Sequence, residues 1–567
     1  MFTSTPKRRF IFVFLFLFIC FIINLILFYP IFTSDNIFIN FAIHPFNICD
    51  KYPNGWNFIK FSFVFLFIFS NLLISNYIYS LLFKVTHKNN SIKSKLFEPL
   101  NPNELNLKIG NTLDNSTIYL PTKSLFQNIL VTGTIGSGKT SSAMYPFTHQ
   151  LIKYNYNNSN KKIGMLILDV KGNYHNQVLE YCKKYNRVKD LILIDLSGSV
   201  KYNPLDKPNL KASILANRLK TILTLFSPNN SESFWLDKAE QILSECIKLC
   251  RLYNNGYVTF FEIHKLITQP TYYSEKISVL RNKFISGDFS KTDCYNLLSS
   301  LDFFEKEFIK LDPRTLGILK SEITRITGAF ISDIEILNTF SPPKEEINFH
   351  GFQDVLKNGK IVVLNMNISE YRNLSKIIAA YLKLDFQTEV MMNLANKKTN
   401  RIVSFISDEY HEYVTSTDAD FFAQSREAGC INIIATQSYN SLLNTINNKY
   451  TVSSIIQNLV NKIWYRTDDI FTIEEAQKQI GKEEKIKISQ SISENSKETS
   501  FNHFTKKFNS IDSNLSESIN KYSQFEFVYD TNYFTQKLEC FHALCFLSTG
   551  EKIISPQELK MIPYFKQ

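Results

Sequence analysis

Nine cysteines and nine histidines are present in 567 residues, and neither set is spaced to hold a metal. No two cysteines form C-x-x-C, and Cys246 and Cys250 lie one helical turn apart, as packed core residues often do. His411-Glu412 lacks the second histidine of an H-E-x-x-H helix. These absences argue against a zinc scaffold and a metallopeptidase. They also leave no disulfide framework, so the bulk of the chain reads as cytosolic. There is no G-x-S-x-G nucleophile turn and no internal repeat. Charge of one sign is only modestly in excess: 63 Lys+Arg against 52 Asp+Glu gives +11. Such an excess suits a polyanionic partner, nucleic acid or anionic lipid, and equally suits the flanks of membrane segments.

What is present begins with two long uncharged runs. Lys7-Arg8-Arg9 precede an apolar stretch over 10–29, and a second covers 61–83, closed by Lys84, His87 and Lys88. Each can cross a hydrocarbon layer of about 30 Å as a helix. Basic residues flank both outer ends, which puts both termini on the cytoplasmic side of a cell membrane and Ile31 to Lys60 outside. Residues 1–88 therefore read as a membrane anchor with two transmembrane helices, and Lys88 to Leu120 as a polar lead-in.

The third feature is Gly133-Thr134-Ile135-Gly136-Ser137-Gly138-Lys139-Thr140, a full match to the phosphate loop G-x-x-x-x-G-K-[ST]. Ile129-Leu130-Val131 before it reads as a buried strand, and Ser141 to Leu151 after it as a helix that Pro146 must enter near its first turns. Glycines at 133, 136 and 138 permit a tight turn with inward N–H groups, and Ser141 continues the helix start behind them. Lys139 is expected to reach the β- and γ-phosphates, and the Thr140 hydroxyl to ligate Mg²⁺.

Further apolar runs expected as strands are Met165–Asp169, Leu191–Asp195, Lys360–Asn365, Ile402–Asp408, Ile431–Thr436 and Lys462–Arg466. They imply a predominantly parallel α/β sheet. The divisions expected are 89–207 and 344–484 for the nucleotide-binding domain and 208–343 for an inserted all-helical domain. Residues 485–567 read as a polar segment of little periodicity followed by a small C-terminal element. Ile402-Val-Ser-Phe-Ile-Ser-Asp408-Glu409 ends a buried run in two acids. Asp408 is placed to hold Mg²⁺ opposite Thr140, and Glu409 to polarise the attacking water. Gln437, after the run ending Ala435-Thr436, is suited to sense the γ-phosphate or to orient water from the neighbouring strand.

Taken in order, these pieces resemble the type IV coupling proteins, the TraG/TraD-like ATPases within the FtsK/HerA motor class. The matching motifs are Gly133–Thr140, Leu168-Asp169-Val170-Lys171-Gly172, Asn203-Pro204-Leu205, Phe234-Trp235, Asp408-Glu409, Ser425-Arg426-Glu427-Ala428-Gly429, Ala435–Ser438 and Asn458 to Asp469 with Ile480-Gly481. The family's Asp-Pro-Lys-Gly-Glu carries Val170 and Asn173 here in place of the proline and the acid. The resemblance implies an α/β fold of the RecA-like P-loop NTPase class, ATP and Mg²⁺ as cofactors and a membrane-anchored homo-hexamer. It further implies single-stranded, relaxase-bound DNA, relaxosome proteins and a type IV secretion channel as partners. Arg426 is expected to complete a neighbour's site, with Arg325 and Arg466 as alternatives. Two other readings stay open: a membrane-tethered FtsK/HerA-like DNA motor, and an ATP-gated receptor scaffold.

Overall fold

Runs such as Ile129–Thr132, Ile361–Leu364 and Cys430–Thr436 carry no charge and are buried along their whole length. Such segments form strands covered on both faces. In the computed structural model the described residues are 104–566, apart from 170, 198, 227–232, 397–398, 496–500, 503–506 and 509–513. Phe18, Ile19, Phe65 and Phe69 are described as well. The chain divides into two units, Met1–Lys95 and Leu96–Gln567. Apart from those four positions, both expected spans lie outside the described residues. Among the described residues no helix is long and apolar enough to cross a membrane.

The second unit is built on one eleven-stranded sheet. Its strands in chain order are β1 (Asn106–Thr112), β2 (Thr117–Pro121), β3 (Ile129–Thr132), β4 (Gly164–Leu168), β5 (Leu191–Ile194), β6 (Ile361–Leu364), β7 (Val403–Ser407), β8 (Cys430–Thr436) and β9 (Asn461–Trp464). A separate hairpin pairs β10 (Lys482–Asn495) with β13 (Asn514–Phe527), and β11 (Phe501–Asn502) pairs with β12 (Lys507–Phe508). The sheet is completed by β14 (His542–Phe546) and β15 (Gln557–Lys560). The spatial order is β2-β1-β15-β14-β9-β3-β8-β7-β4-β6-β5. From β9 to β5 every pairing is parallel, and the remaining four strands add in antiparallel sense. All seven expected strands are there. Alternate side chains feed opposite cores: Leu130, Leu166, Val362 and Phe405 face one, and Ile129, Met165, Ile361 and Ile406 the other.

Between β5 and β6 the described residues form helices and connecting loops, the longest helix being Ser233–Tyr253. Their apolar faces join the first core, where Phe260 and Phe330 stack at 4.0 Å. This helical mass is tied to the sheet by a buried polar knot. Asp385, on the helix Ile368–Asn396, accepts from Lys207 (2.9 Å), Arg218 (2.8 Å) and Tyr202 (2.5 Å). Burial opposes the Asp385 charge, yet the two cations hold its pKa below the ordinary carboxylate value.

Two expectations differ from the structure. The lead-in to Leu120 holds β1 and β2, whose alternation of Leu105, Leu107 and Ile109 with polar residues is too short to stand out in so polar a stretch. Within the stretch 485–524, read as having little periodicity, residues 485–495 and 514–524 form most of the long hairpin, with fourteen cross-strand partners from Lys482↔Phe527 to Asn495↔Asn514. Its period of two is visible in Lys485-Ile486-Lys487-Ile488, but both isoleucines are exposed, and no described side chain of the hairpin is buried to announce it.

Asp385→Ala should strand Lys207 and Arg218 in the core and cost about 3–5 kcal/mol, read as a lowered thermal midpoint. Because the folded pKa of Asp385 is lowered, its contribution is present above the unfolded value near 4 and lost as pH falls through the folded one. The gap between wild type and variant should therefore narrow in acid.

Candidate active site

The carboxyl ends of β3, β4, β7, β8 and β9 share one edge of the sheet, so the loops leaving them converge. The loop after β3 is anchored on both flanks. Gly133 N–H donates to the Gln437 carbonyl (3.2 Å), and Thr134 N–H to the Arg466 carbonyl (2.8 Å). The Thr134 hydroxyl donates to the same Arg466 oxygen at 3.1 Å. A Cβ on Gly133 would lie 2.6 Å from Tyr465, and Gly136 and Gly138 hold φ of +76° and +98°. Glycine is therefore required at the two last positions by conformation and at the first by space. Ile135 stands exposed at the tip, whereas Ser137 is buried and its hydroxyl donates to the Thr134 carbonyl at 2.8 Å. Thr140 opens a wide π-type turn to Met144, and the helix Tyr145–Lys153 follows, with Pro146 in its first turn. The Ser141 hydroxyl donates back to the Gly138 carbonyl at 3.2 Å.

Lys139 is buried and turns back on its own loop, donating to the carbonyls of Gly133 and, at 3.2 Å, Thr134. Burial lowers its pKa against the opposing pull of Glu409 and Asp408. The Thr140 hydroxyl donates to Asp408 Oδ2 at 2.9 Å. These two hard oxygen ligands face each other at the foot of the loop, a donor set suited to Mg²⁺. Glu409 adds a further sign of fit: its Oε2 is buried with no hydrogen-bond partner, while His411 Nδ1 stands 3.7 Å away.

Glu409 sits in the left-handed region at φ 49°, ψ 45°, a strained conformation for this residue type. The residues behind it hold it there. Tyr410 donates to Asp418, which also receives Lys383 Nζ (2.6 Å), Gln387 (2.9 Å) and Thr415 N–H (2.8 Å). Lys383 is fully buried, and burial lowers its pKa against the Asp418 charge.

Lys171, after β4, is the residue whose position the sequence left open. Its ammonium donates to Glu409 Oε1 at 2.8 Å and lies 3.7 Å from Asp408 Oδ2. Burial works against the Glu409 charge, but Lys171, with Lys139 and His411, outweighs it and lowers the pKa. Burial prevails at Asp408, whose pKa is raised. Lys171 itself is raised because the two carboxylates outweigh its own desolvation. Asp169 is occupied otherwise, accepting from the N–H groups of Lys171 (3.0 Å), Asn173 (3.2 Å) and Tyr174 (3.2 Å). That fixes the turn without an acid at 173.

Gly133–Ser141, Asp408, Glu409 and the main chain of Gln437 are thus brought together. Arg426 is not: it is exposed, just before Cys430 at the amino end of β8, the edge of the sheet opposite Asp408. Arg325 lies in the helical mass, donating to the Phe226 carbonyl at 3.0 Å and to Glu322. Arg466 is exposed beside the loop its carbonyl anchors. Sequence reasoning missed Cys540 and Phe541. Phe541 N–H donates to the Ser137 carbonyl at 3.2 Å and its ring crowds Gly138. Nothing in an isolated Cys-Phe pair signals this.

Residues 321–512 match the family model described as the type IV secretion-system coupling protein DNA-binding domain. No curated protein sequence matches the chain. Among solved structures, the unbound monoclinic form of the bacterial conjugative coupling protein TrwBdeltaN70 is similar, with TM-score 0.52 and 11% identity over 80% of this chain and 88% of that one. The plasmid coupling protein TrwB in complex with ADP and Mg²⁺ gives TM-score 0.52 and 12% identity over 79% and 87%. The same protein with a non-hydrolysable ATP analogue gives 0.50 and 12% over 80% and 89%. At these identities the likeness is one of fold. The resemblance to the type IV coupling proteins is borne out by the family model over residues 321–512.

Substituting Lys171 by Met should leave Asp408 and Glu409 adjacent without their shared cation, making both easier to protonate. The acid limb of kcat/KM for nucleotide hydrolysis, which reports the nucleotide-free enzyme, should then move to higher pH than in wild type. An unmoved limb would mean that Lys171 does not face these acids in the nucleotide-free enzyme.

Proposed function

We propose that this chain, of the type IV coupling protein family, is an ATPase that couples hydrolysis to moving DNA or a nucleoprotein toward a secretion channel. The observation that carries the reading is the meeting of Lys139, the Thr140–Asp408 pair and Glu409 around one phosphate loop. The matching family model, described as a DNA-binding domain, and the fold of the nucleotide-bound TrwB structures support it. In this reading the N–H groups of 138–140 at the helix start bind the phosphates, the N–H groups of Gly133 and Thr134 staying on the flanking carbonyls, and Lys139 swings from its own carbonyls to the β- and γ-oxygens. Thr140 and Asp408 would hold Mg²⁺, which supplies charge neutralisation on the phosphates when bound. Glu409, freed from Lys171, takes the proton of the attacking water. Gln437 orients that water or senses the γ-phosphate.

The membrane attachment rests on the two uncharged runs at 10–29 and 61–83, and a homo-hexamer on the family resemblance. In such a ring Arg426, placed away from its own site, is the arginine offered to a neighbour. An excess charge of +11 and no base-reading motif favour contact through phosphates.

Lys139→Ala should abolish nucleotide binding, and Glu409→Gln should bind ATP while turnover falls roughly 10²-fold or more. Single-stranded DNA should stimulate the wild-type rate, and its affinity should drop steeply as salt rises. A rate indifferent to DNA at every salt concentration would favour the receptor-scaffold reading. Arg426→Ala subunits should be inactive alone and regain activity when mixed with Lys139→Ala subunits. Mixed assemblies that stay dead, with Arg426→Ala still binding ATP, would remove Arg426 from that role.

A further inference from the structure

We propose that the aromatic pair Phe541 and Phe565, carried by the segments flanking β14 and β15, is where the purine ring of the bound nucleotide stacks. The proposal rests on reading the loop 133–140 as a nucleoside triphosphate site. The strand order supplies the first argument. On one side of β3 lie β8 and β7, which lead to Gln437 and Asp408-Glu409; on the other lie β9 and β14. A triphosphate whose terminal group faces Thr140 and Asp408 runs its other end away from β7, toward β9 and β14.

That side is furnished with aromatic rings. β14 is antiparallel to β9, with Leu544 opposite Trp464, so its amino end lies at the carboxyl edge of the parallel strands. β15 pairs Lys560 with His542, so its carboxyl end arrives at the same edge. Residues 540–541 and 561–566 therefore emerge together beside the phosphate loop. Phe541 N–H donates to the Ser137 carbonyl at 3.2 Å, and the Cys540 thiol to the Gly136 carbonyl at 3.5 Å. A Cβ on Gly138 would come within 2.6 Å of the Phe541 ring. Phe541 takes φ +64°, a conformation a bulky residue adopts only when held. Here its N–H is held by Ser137 and its carbonyl by Met561 N–H at 2.7 Å.

The second ring is positioned from the chain's end. Phe565 lies 6.2 Å from Phe541 at 75°, and 5.5 Å from Tyr564. Tyr564 in turn packs edge-on against Tyr145, the first residue of the helix behind the loop, at 5.2 Å. Phe565 is nonetheless 59% exposed. A ring fixed by its neighbours and left open to solvent beside a phosphate site gives a base a flat apolar face. Stacking of this kind is strong and tolerant of base identity.

The test compares ligands with and without a base on the full-length protein. ATP, ADP and inorganic tripolyphosphate are titrated against wild type, Phe565→Ala, Phe565→Leu and Phe565→Trp, with Lys139→Ala as the control for the loop. Phe565→Ala and Phe565→Leu should each weaken ATP and ADP roughly tenfold and leave tripolyphosphate unchanged. Phe565→Trp should retain nucleotide affinity, and its fluorescence should be quenched on binding ADP. Phe565→Leu keeps the apolar volume without the aromatic face, so it separates stacking from propping should the alanine variant fold poorly. Unchanged ATP affinity in both variants would overturn the proposal. So would equal losses for ATP and tripolyphosphate, which would make the rings a prop for the loop. Lys139→Ala should lose all three ligands; if wild type binds none of them, the nucleotide reading falls first and this one with it.

Discussion

The hydrogen bond between Thr140 and Asp408 joins residues 268 apart in sequence, and it exists only because β3, β8 and β7 run parallel in fixed register. Thr132 lies opposite Thr436, and Ser407 opposite Ile434, so the next residue of each strand opens toward the same edge. Parallel alignment gathers loop chemistry at one edge and leaves the connections to run behind. That freedom is what lets a long helical mass sit between β5 and β6 without disturbing the site. The cost is that such a sheet has no exposed face and must be covered on both sides, which the two cores do.

The charges at this edge are held unequally. Lys139 is satisfied by neutral carbonyls of its own loop, acceptors it can exchange for phosphate oxygens with little net loss. Glu409 is held by a full opposite charge at 2.8 Å on a strained backbone. Releasing it requires another cation near Lys171 or another acceptor for Lys171 itself. A triphosphate is such an acceptor. In the proposed function the ligand that draws Lys139 forward would also compete for Lys171, which would couple the freeing of Glu409 to occupancy.

The parallel strands were legible because uninterrupted Val/Ile/Leu runs have few other fates, and the phosphate loop because its glycines answer a steric demand that φ of +76° and +98° makes explicit. Asp408 and Glu409 could be found as acids ending a buried run. What stayed hidden depends on contacts across the sheet. Lys171 matters through a carboxylate 238 residues away, and no local pattern encodes that distance. β1 and β2 were hidden by brevity, and the β10–β13 hairpin because none of its described side chains is buried. Arg426 was noticed as a motif, but only the register of β8 puts it at the far edge.

The pairing of β1 with β15 has a kinetic meaning. Asn111 lies opposite Lys560, so a strand made early waits for one made more than 400 residues later. During synthesis at roughly 5–20 residues per second that wait lasts tens of seconds. Throughout it, the edge of β1 away from β2 is unpaired, and β9 lacks β14 beside it. Unpaired edges of this kind invite wrong partners. The rings beside the phosphate loop arrive with the same late strands, so the nascent chain would complete its sheet and its nucleotide site in one final step.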